Sequence, residues 1–246
     1  YIHKPILITE DKAIDFGGSG KEIASIKAGA EMEYMIGMSE ASYSYYPRTY
    51  FHDFTLDGNR ESYYGNYFKS GDRNNNNEGR GFYANDFPSK AKSGIYFPLR
   101  GLVYTRIDSV IFHGFDKYCL DMLNTWHLVI EDCWFRYSQN GIHMGGEVNS
   151  VSITHSLFNT MAGVGIMTSL SHANNICFNT FEVLGKAAII ICNGNGGNTI
   201  NNNYFEQTSI NGINWKTYVA ENYNGNSILL HSPIVVDGVN INSIYE

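Results

Sequence analysis

The chain has 246 residues, 43% hydrophobic and 14% aromatic, enough for a sizeable core in one large β domain or two smaller ones. A net charge of -7 with no Lys/Arg stripe excludes a protein that grips phosphate backbones, so no nucleic-acid partner is expected. Only 17% of residues are charged and Pro is scarce beside 25 Gly and 18 Tyr, which suits an all-β chain with many tight turns; no apolar run approaches the roughly 20 residues of a membrane span, so no membrane insertion is expected either.

In chain order, "YIHKPILIT" (1–9), "KEIASIKAG" (21–29) and "EMEYMIGM" (31–38) read as early strands, and "FHDFTLDGN" (51–59) as one more strand-rich unit. "GGSGKE" (17–22) resembles a phosphate loop only superficially, because Asp15 replaces its first glycine and Glu22 its Ser or Thr; it reads as a turn. The segment from Arg60 to Ser93, with "DRNNNNEGRG" in its middle, breaks the pattern and is expected to be an inserted loop at 60–93, with Gly94-Ile95 re-entering the body. A start at Tyr1 and an end inside a strand-like pattern suggest one domain, 1–246, cut from a longer chain.

From there on a period emerges. Phe205, Phe181, Phe158, Phe135 and Phe115 are separated by 24, 23, 23 and 20 residues. Five positions before each stands a branched aliphatic: Ile200, Ile176, Ile153, Ile130 and Val110. A small residue and an aliphatic follow: Gly212-Ile213, Ala188-Ile189, Gly165-Ile166, Gly141-Ile142 and Cys119-Leu120. One such unit cannot bury its apolar side chains alone, but stacked units place Phe over Phe and Ile over Ile. Parallel stacking also pairs each strand with the coil above and below, about 4.8 Å away. The expected fold is all-β, a single-stranded right-handed parallel β-helix with coils of about 20–24 residues and three short strands per coil.

Two positions before the phenylalanines come Asn203, Asn179, Ser156, Cys133 and His113, with Asn202 at the turn. Asparagine accepts left-handed backbone and, in register, its amides bond coil to coil. The run "NTINNNYF" (198–205) is therefore read as structural. Cys119, Cys133, Cys177 and Cys192 have neither redox nor zinc spacing and read as buried free thiols.

The "I-x-x-x-x-F" step, the following "GI" and the leading "FTLDGN" resemble the pectate-lyase-like right-handed β-helices. Within them the chain is most similar to the body of bacteriophage tailspike and tail-appendage proteins. That resemblance implies a homotrimer on a virion tail, outside the cell, which binds and cleaves a bacterial cell-surface polysaccharide as a hydrolase or lyase. It also leaves open a non-catalytic receptor-binding appendage, or a bacterial polysaccharide lyase or epimerase. The family shares no universal catalytic motif, and the polygalacturonase series "NTD…DD…GHG…RIK" is not found.

Stacking turns sequence offsets into spatial neighbours. One position after each phenylalanine stand Asp116, Arg136, Asn159, Glu182 and Glu206. Glu182 and Glu206 are expected on adjacent coils, a carboxylate pair suited to glycoside cleavage; Asp116 and Arg136 are expected as a surface ion pair. After the "GI" positions, Asp121 and His143 should meet facing outward, with Glu147 at the next turn, an acid–imidazole arrangement for acid–base catalysis. Tyr45, Tyr46, Tyr63 and Tyr64 offer flat faces for sugar rings, and Arg136 a donor, as substrate-binding residues. No metal site and no cofactor are expected, since the remaining histidines lack ligand spacing. In each case the plainer reading is a solvated surface pair or ordinary strand composition.

Overall fold

The computed structural model describes residues 1–8, 13–38, 48–60, 89–97, 103–169, 171–192, 197–208, 234–236 and 239–240. Apart from the antiparallel pair of Ile234–Val236 with Val239–Asn240, they form parallel strands that wind through three faces per coil, each hydrogen-bonded to its counterparts one coil away. The first face runs from Ile14–Gly17 through the first halves of the long strands Thr49–Asp57 and Arg106–His113. It continues in Val129–Glu131, Ser152–Thr154, Asn175–Cys177 and Thr199–Asn201. The second face starts at Ser25–Lys27 and takes the second halves of the same long strands. Trp134–Arg136, Leu157–Met161, Thr180–Leu184 and Tyr204–Thr208 follow. The third face is a sheet from Ile6–Ile8 through Met32–Met38, Ala91–Phe97, Tyr118–Leu123, Asn140–Gly145, Val164–Ser169 and Ala187–Cys192 to Ile234–Val236.

Like side chains stack inside. On the second face Phe112, Phe135, Phe158 and Phe181 are fully buried, with successive ring centroids 5.0, 4.7 and 4.7 Å apart. Phe205 continues the stack at 5.3 Å. On the first face Ile107, Ile130, Ile153, Ile176 and Ile200 are in register. On the third, Ile36, Ile95, Leu120, Ile142, Ile166 and Ile189 are. From Ile95 onward the residue before each aliphatic on that face is small (Gly94, Cys119, Gly141, Gly165 and Ala188) and makes room for the rings: a Cβ on Gly141 would lie 3.1 Å from the Phe158 ring and 2.3 Å from the Gly165 carbonyl.

Coils turn on residues in the left-handed region. At the corner between the first and second faces these are Asp53, Ser109, Asp132, His155, Phe178 and Asn202, with φ between 48° and 58°. The asparagines act as the sequence leads one to expect. Asn203 Oδ1 accepts from the Asn179 backbone N at 2.9 Å, Asn179 Oδ1 from Ser156 N at 3.0 Å, and Ser156 Oγ from Cys133 N at 3.1 Å. Asn203 and Asn179 also donate through Nδ2 to the carbonyls of Ile176 and Ile153, both at 2.9 Å. A buried ladder therefore satisfies backbone groups that the turns leave unpaired.

Three expectations are corrected. The upstream copy places Phe112, not Phe115, opposite Phe135, and Ile107, not Val110, opposite Ile130. Phe115 is buried at the following corner. The stack is re-entered earlier than Gly94, since Ala91 and Ser93 pair with Met32 and Tyr34, so the stack already holds the last residues of the expected 60–93 loop. Finally, Ile189 pairs with Ile234; Gly212-Ile213, assigned to that column, lies outside the described residues.

Candidate active site

Strand neighbours alternate between faces, so an outward column runs along the third sheet one residue after the inward aliphatics. Its register is Tyr96, Asp121, His143, Met167 and Ile190. Asp121 is only 5% exposed although it points away from the core. Its cover is chemical: Oδ1 lies 2.8 Å from His143 Nδ1, and Oδ2 lies 3.3 Å from Lys117 Nζ. A carboxylate ion only accepts hydrogen bonds, so Nδ1 carries a proton, and in the neutral imidazole the lone pair is left on Nε2.

Aromatic side chains frame the pair. The Tyr118 ring stacks on the His143 imidazole at 4.9 Å and 22°. The Lys117 ammonium lies 5.9 Å from the Tyr96 ring centroid and 5.7 Å from that of Tyr118. Beside the imidazole is Gly145, where a Cβ would come within 3.3 Å of the ring. Among the described residues, Nε2 of His143 has no hydrogen-bond partner, and the side chain is about a quarter exposed. The cluster thus presents an oriented base, a cation and two aromatic faces to one place.

The other expected residues fall elsewhere. Glu182 and Glu206 are in register on adjacent coils, as expected, but each carboxylate already has a donor. Asn159 Nδ2 binds Glu182 at 3.0 Å, and Tyr204 OH binds Glu206 at 2.8 Å, a bond that raises the Tyr204 hydroxyl pKa. Glu147 follows Gly146 on an exposed turn whose backbone is held by Asn124, and its carboxylate accepts no hydrogen bond among the described residues. Tyr45, Tyr46, Tyr63 and Tyr64 lie outside the described residues. The Asp116–Arg136 ion pair does not form. Arg136 stands opposite His113 and Asn159, with its guanidinium over Trp134 and Tyr137. Asp116 instead accepts from Arg60 Nη2 at 2.7 Å and from Ser89 N at 2.9 Å, joining the two chain segments that flank residues 61–88.

One polar network is absent from the sequence reading. On the first face Tyr50 and His52 stack at 4.2 Å, in register with Arg106 and Asp108. Tyr50 OH donates to Asp108 at 3.3 Å, and Arg106 Nη2 bridges Asp108 at 3.2 Å and Glu131 at 2.7 Å. His52 lies between two carboxylates, Asp53 at 2.8 Å and Asp15 at 2.7 Å. Its pKa is raised, chiefly by the Asp53 hydrogen bond, with partial desolvation opposing and Asp15 adding to it. The signal was the alternation Tyr-x-His against Arg-x-Asp, which aligns only once Phe51 is set opposite Ile107.

The thiols of Cys119 and Cys133 are buried among apolar groups that push them up to about 12, so they are inert packing residues. Among the described residues no group of three His, Cys, Asp or Glu side chains is placed to hold a metal ion.

Coils in register on three faces, closed by hydrogen bonds from each turn to the next, define a right-handed parallel β-helix. The family model described as right-handed beta helix region matches residues 93–237, more than half of the 246, and the chain belongs to that family. Comparison with curated proteins and with solved structures returns no match.

Proposed function

We propose that this β-helix binds and cleaves a bacterial cell-surface polysaccharide as part of a homotrimeric, extracellular virion tail appendage. The observation that carries the reading is the buried Asp121 carboxylate holding His143 Nδ1 at 2.8 Å. In this role His143 Nε2 removes a proton, either from a water attacking the glycosidic carbon or from the sugar carbon next to a uronate carboxylate. Asp121 keeps the imidazole in the right tautomer and stabilises the imidazolium that forms, as a buried carboxylate does beside a catalytic histidine. The Lys117 ammonium supplies positive charge where negative charge develops. Tyr96 and Tyr118 offer ring faces for a pyranose. Glu182 and Glu206, on a separate face, are the second-ranked acid pair.

The test is incubation with a panel of capsular polysaccharides and lipopolysaccharides, followed by assays for reducing ends and for unsaturated uronates. Cleavage that His143→Ala and Asp121→Asn abolish and Glu182→Gln spares supports the dyad. Glycan binding without product, even after long incubation, identifies a non-catalytic receptor-binding appendage instead. Sedimentation of the intact protein as a monomer counts against the trimeric appendage.

A further inference from the structure

The corner between the third and first faces carries a second feature. Two adjacent columns run along it. The first is Val103, Trp126, Asn149 and His172, paired coil to coil through the backbone. The second, one residue later, is Tyr104, His127, Ser150, Ala173 and Gly197. All five of these residues have left-handed φ, from 53° to 71°. At such a corner the side chain is directed away from the core, and bulky residues there are disfavoured, so rings in these places are uncommon.

Yet the column begins with two rings. Tyr104 and His127 stack in parallel, 4.8 Å between centroids and 8° between planes, and Tyr104 is 59% exposed. Trp126, beside His127, is 41% exposed. The stack then stops: the next three rungs are Ser150, Ala173 and Gly197. A Cβ on Gly197 would meet only the Ala173 backbone, at 3.5 Å. On the side away from Tyr104, the His127 ring therefore faces a low floor three rungs long. At one coil per 4.8 Å that floor is about 14 Å, roughly the length of three pyranose units.

Two of the floor's three rungs, Ala173 and Gly197, carry no polar side chain, and polar groups stand at its start and on the adjoining face. Asn149 and Ser150 lie at its start, linked by a 2.8 Å hydrogen bond. Ser152 and Asn175 stand in register on the adjoining first face. These groups donate and accept as sugar hydroxyls do, and none offers a charge to a carboxylate or sulfate. A protein of net charge -7 gives a polyanion no compensating attraction.

We propose that this corner is a second glycan-binding site, distinct from the Asp121–His143 cluster, taking a neutral segment of three hexopyranose units. The terminal sugar stacks its C–H face on the imidazole of His127 in the place of the missing ring, flanked by the Trp126 indole, and the chain runs over Ala173 and Gly197. Binding here does not depend on the catalytic role proposed for His143.

The test is calorimetric titration of the intact protein with cellohexaose, maltohexaose and mannohexaose, and with hexagalacturonate as the acidic comparison. At least one neutral hexaose should bind, changing tryptophan fluorescence, with hexagalacturonate at least tenfold weaker. Trp126→Ala removes the flank and Ala173→Gln fills the floor, and each should weaken binding at least tenfold. Thermal melts establish that the variants are folded, and Ala173→Gln at an exposed corner carries the test if Trp126→Ala does not fold. Polysaccharide cleavage is assayed on the same two variants, and hexaose binding lost with cleavage kept, or cleavage absent with binding kept, separates failure of one site from failure of the other. The proposal is overturned if no neutral hexaose binds, if hexagalacturonate binds as tightly, or if folded Ala173→Gln binds unchanged.

Discussion

Phe135 and Phe158 lie opposite one another on adjacent coils, with ring centroids 4.7 Å apart and planes within 10° of parallel. Both are fully buried between further phenylalanines. The stack is the interior of the second face, and each ring is packed from above and below. Phe158→Ala should therefore cost about 3–5 kcal/mol, since neighbours held by their own coils cannot collapse into the space. Phe158→Leu should cost clearly less. Urea unfolding midpoints check this, and equal effects of the two substitutions would show that the stack does not carry the core.

The left-handed corners predict a gain. Phe178, 51% exposed, holds φ 58° in the same column as Asn202. Asparagine tolerates that backbone and phenylalanine does not, so Phe178→Asn should stabilise by about 1 kcal/mol. The loss of the 5.5 Å stack on His155 offsets part of this. A fall in melting temperature would mean that the stack outweighs the backbone strain.

How far the sequence was legible follows from these columns. Between residues 129 and 206 each coil repeats the last, and the period placed Phe135, Phe158, Phe181 and Phe205 together with the Asn203–Asn179 ladder. It also brought Asp121 to His143. Reading failed where local chemistry offered two answers: "FHGF" (112–115) contains two buried phenylalanines, and only Phe112 keeps the 23-residue step to Phe135. The choice of Phe115 displaced Asp116 onto Arg136. The network of Tyr50, His52, Arg106 and Asp108 was hidden for another reason. Its two strands are paired across more than 50 residues of chain, including the stretch 61–88 that breaks the period.

His52 gives a pH dependence. Its folded pKa lies above the unfolded value of about 6.5, because Asp53 and Asp15 hold the imidazolium. The stabilisation is fully present below about pH 6.5 and is lost as pH rises through the raised folded pKa. Thermal melts from pH 6 to 9 should show the excess stability over His52→Gln shrinking. A difference that stays constant or grows with pH would contradict the ion-pair assignment.

Asp116 should act as a clasp. Its carboxylate receives the buried Arg60 guanidinium and the Ser89 backbone N, and thereby ties together the segments on either side of 61–88. Asp116→Ala should destabilise by about 1.5–3 kcal/mol, the range for hydrogen bonds to charged groups. Arg136→Ala should leave this clasp intact. Denaturant melts of both variants decide between this arrangement and an Asp116–Arg136 pair.

The catalytic reading rests on one imidazole and the carboxylate that orients it. Its most direct test is the turnover of a cleaved bacterial surface polysaccharide by the unaltered protein, His143→Ala and Asp121→Asn, each confirmed as folded. Loss of about 10²–10⁴-fold in turnover in both variants is the predicted result, in line with the contribution of a positioned general base. Cleavage by His143→Ala at the unaltered rate would contradict it and place the chemistry on another face.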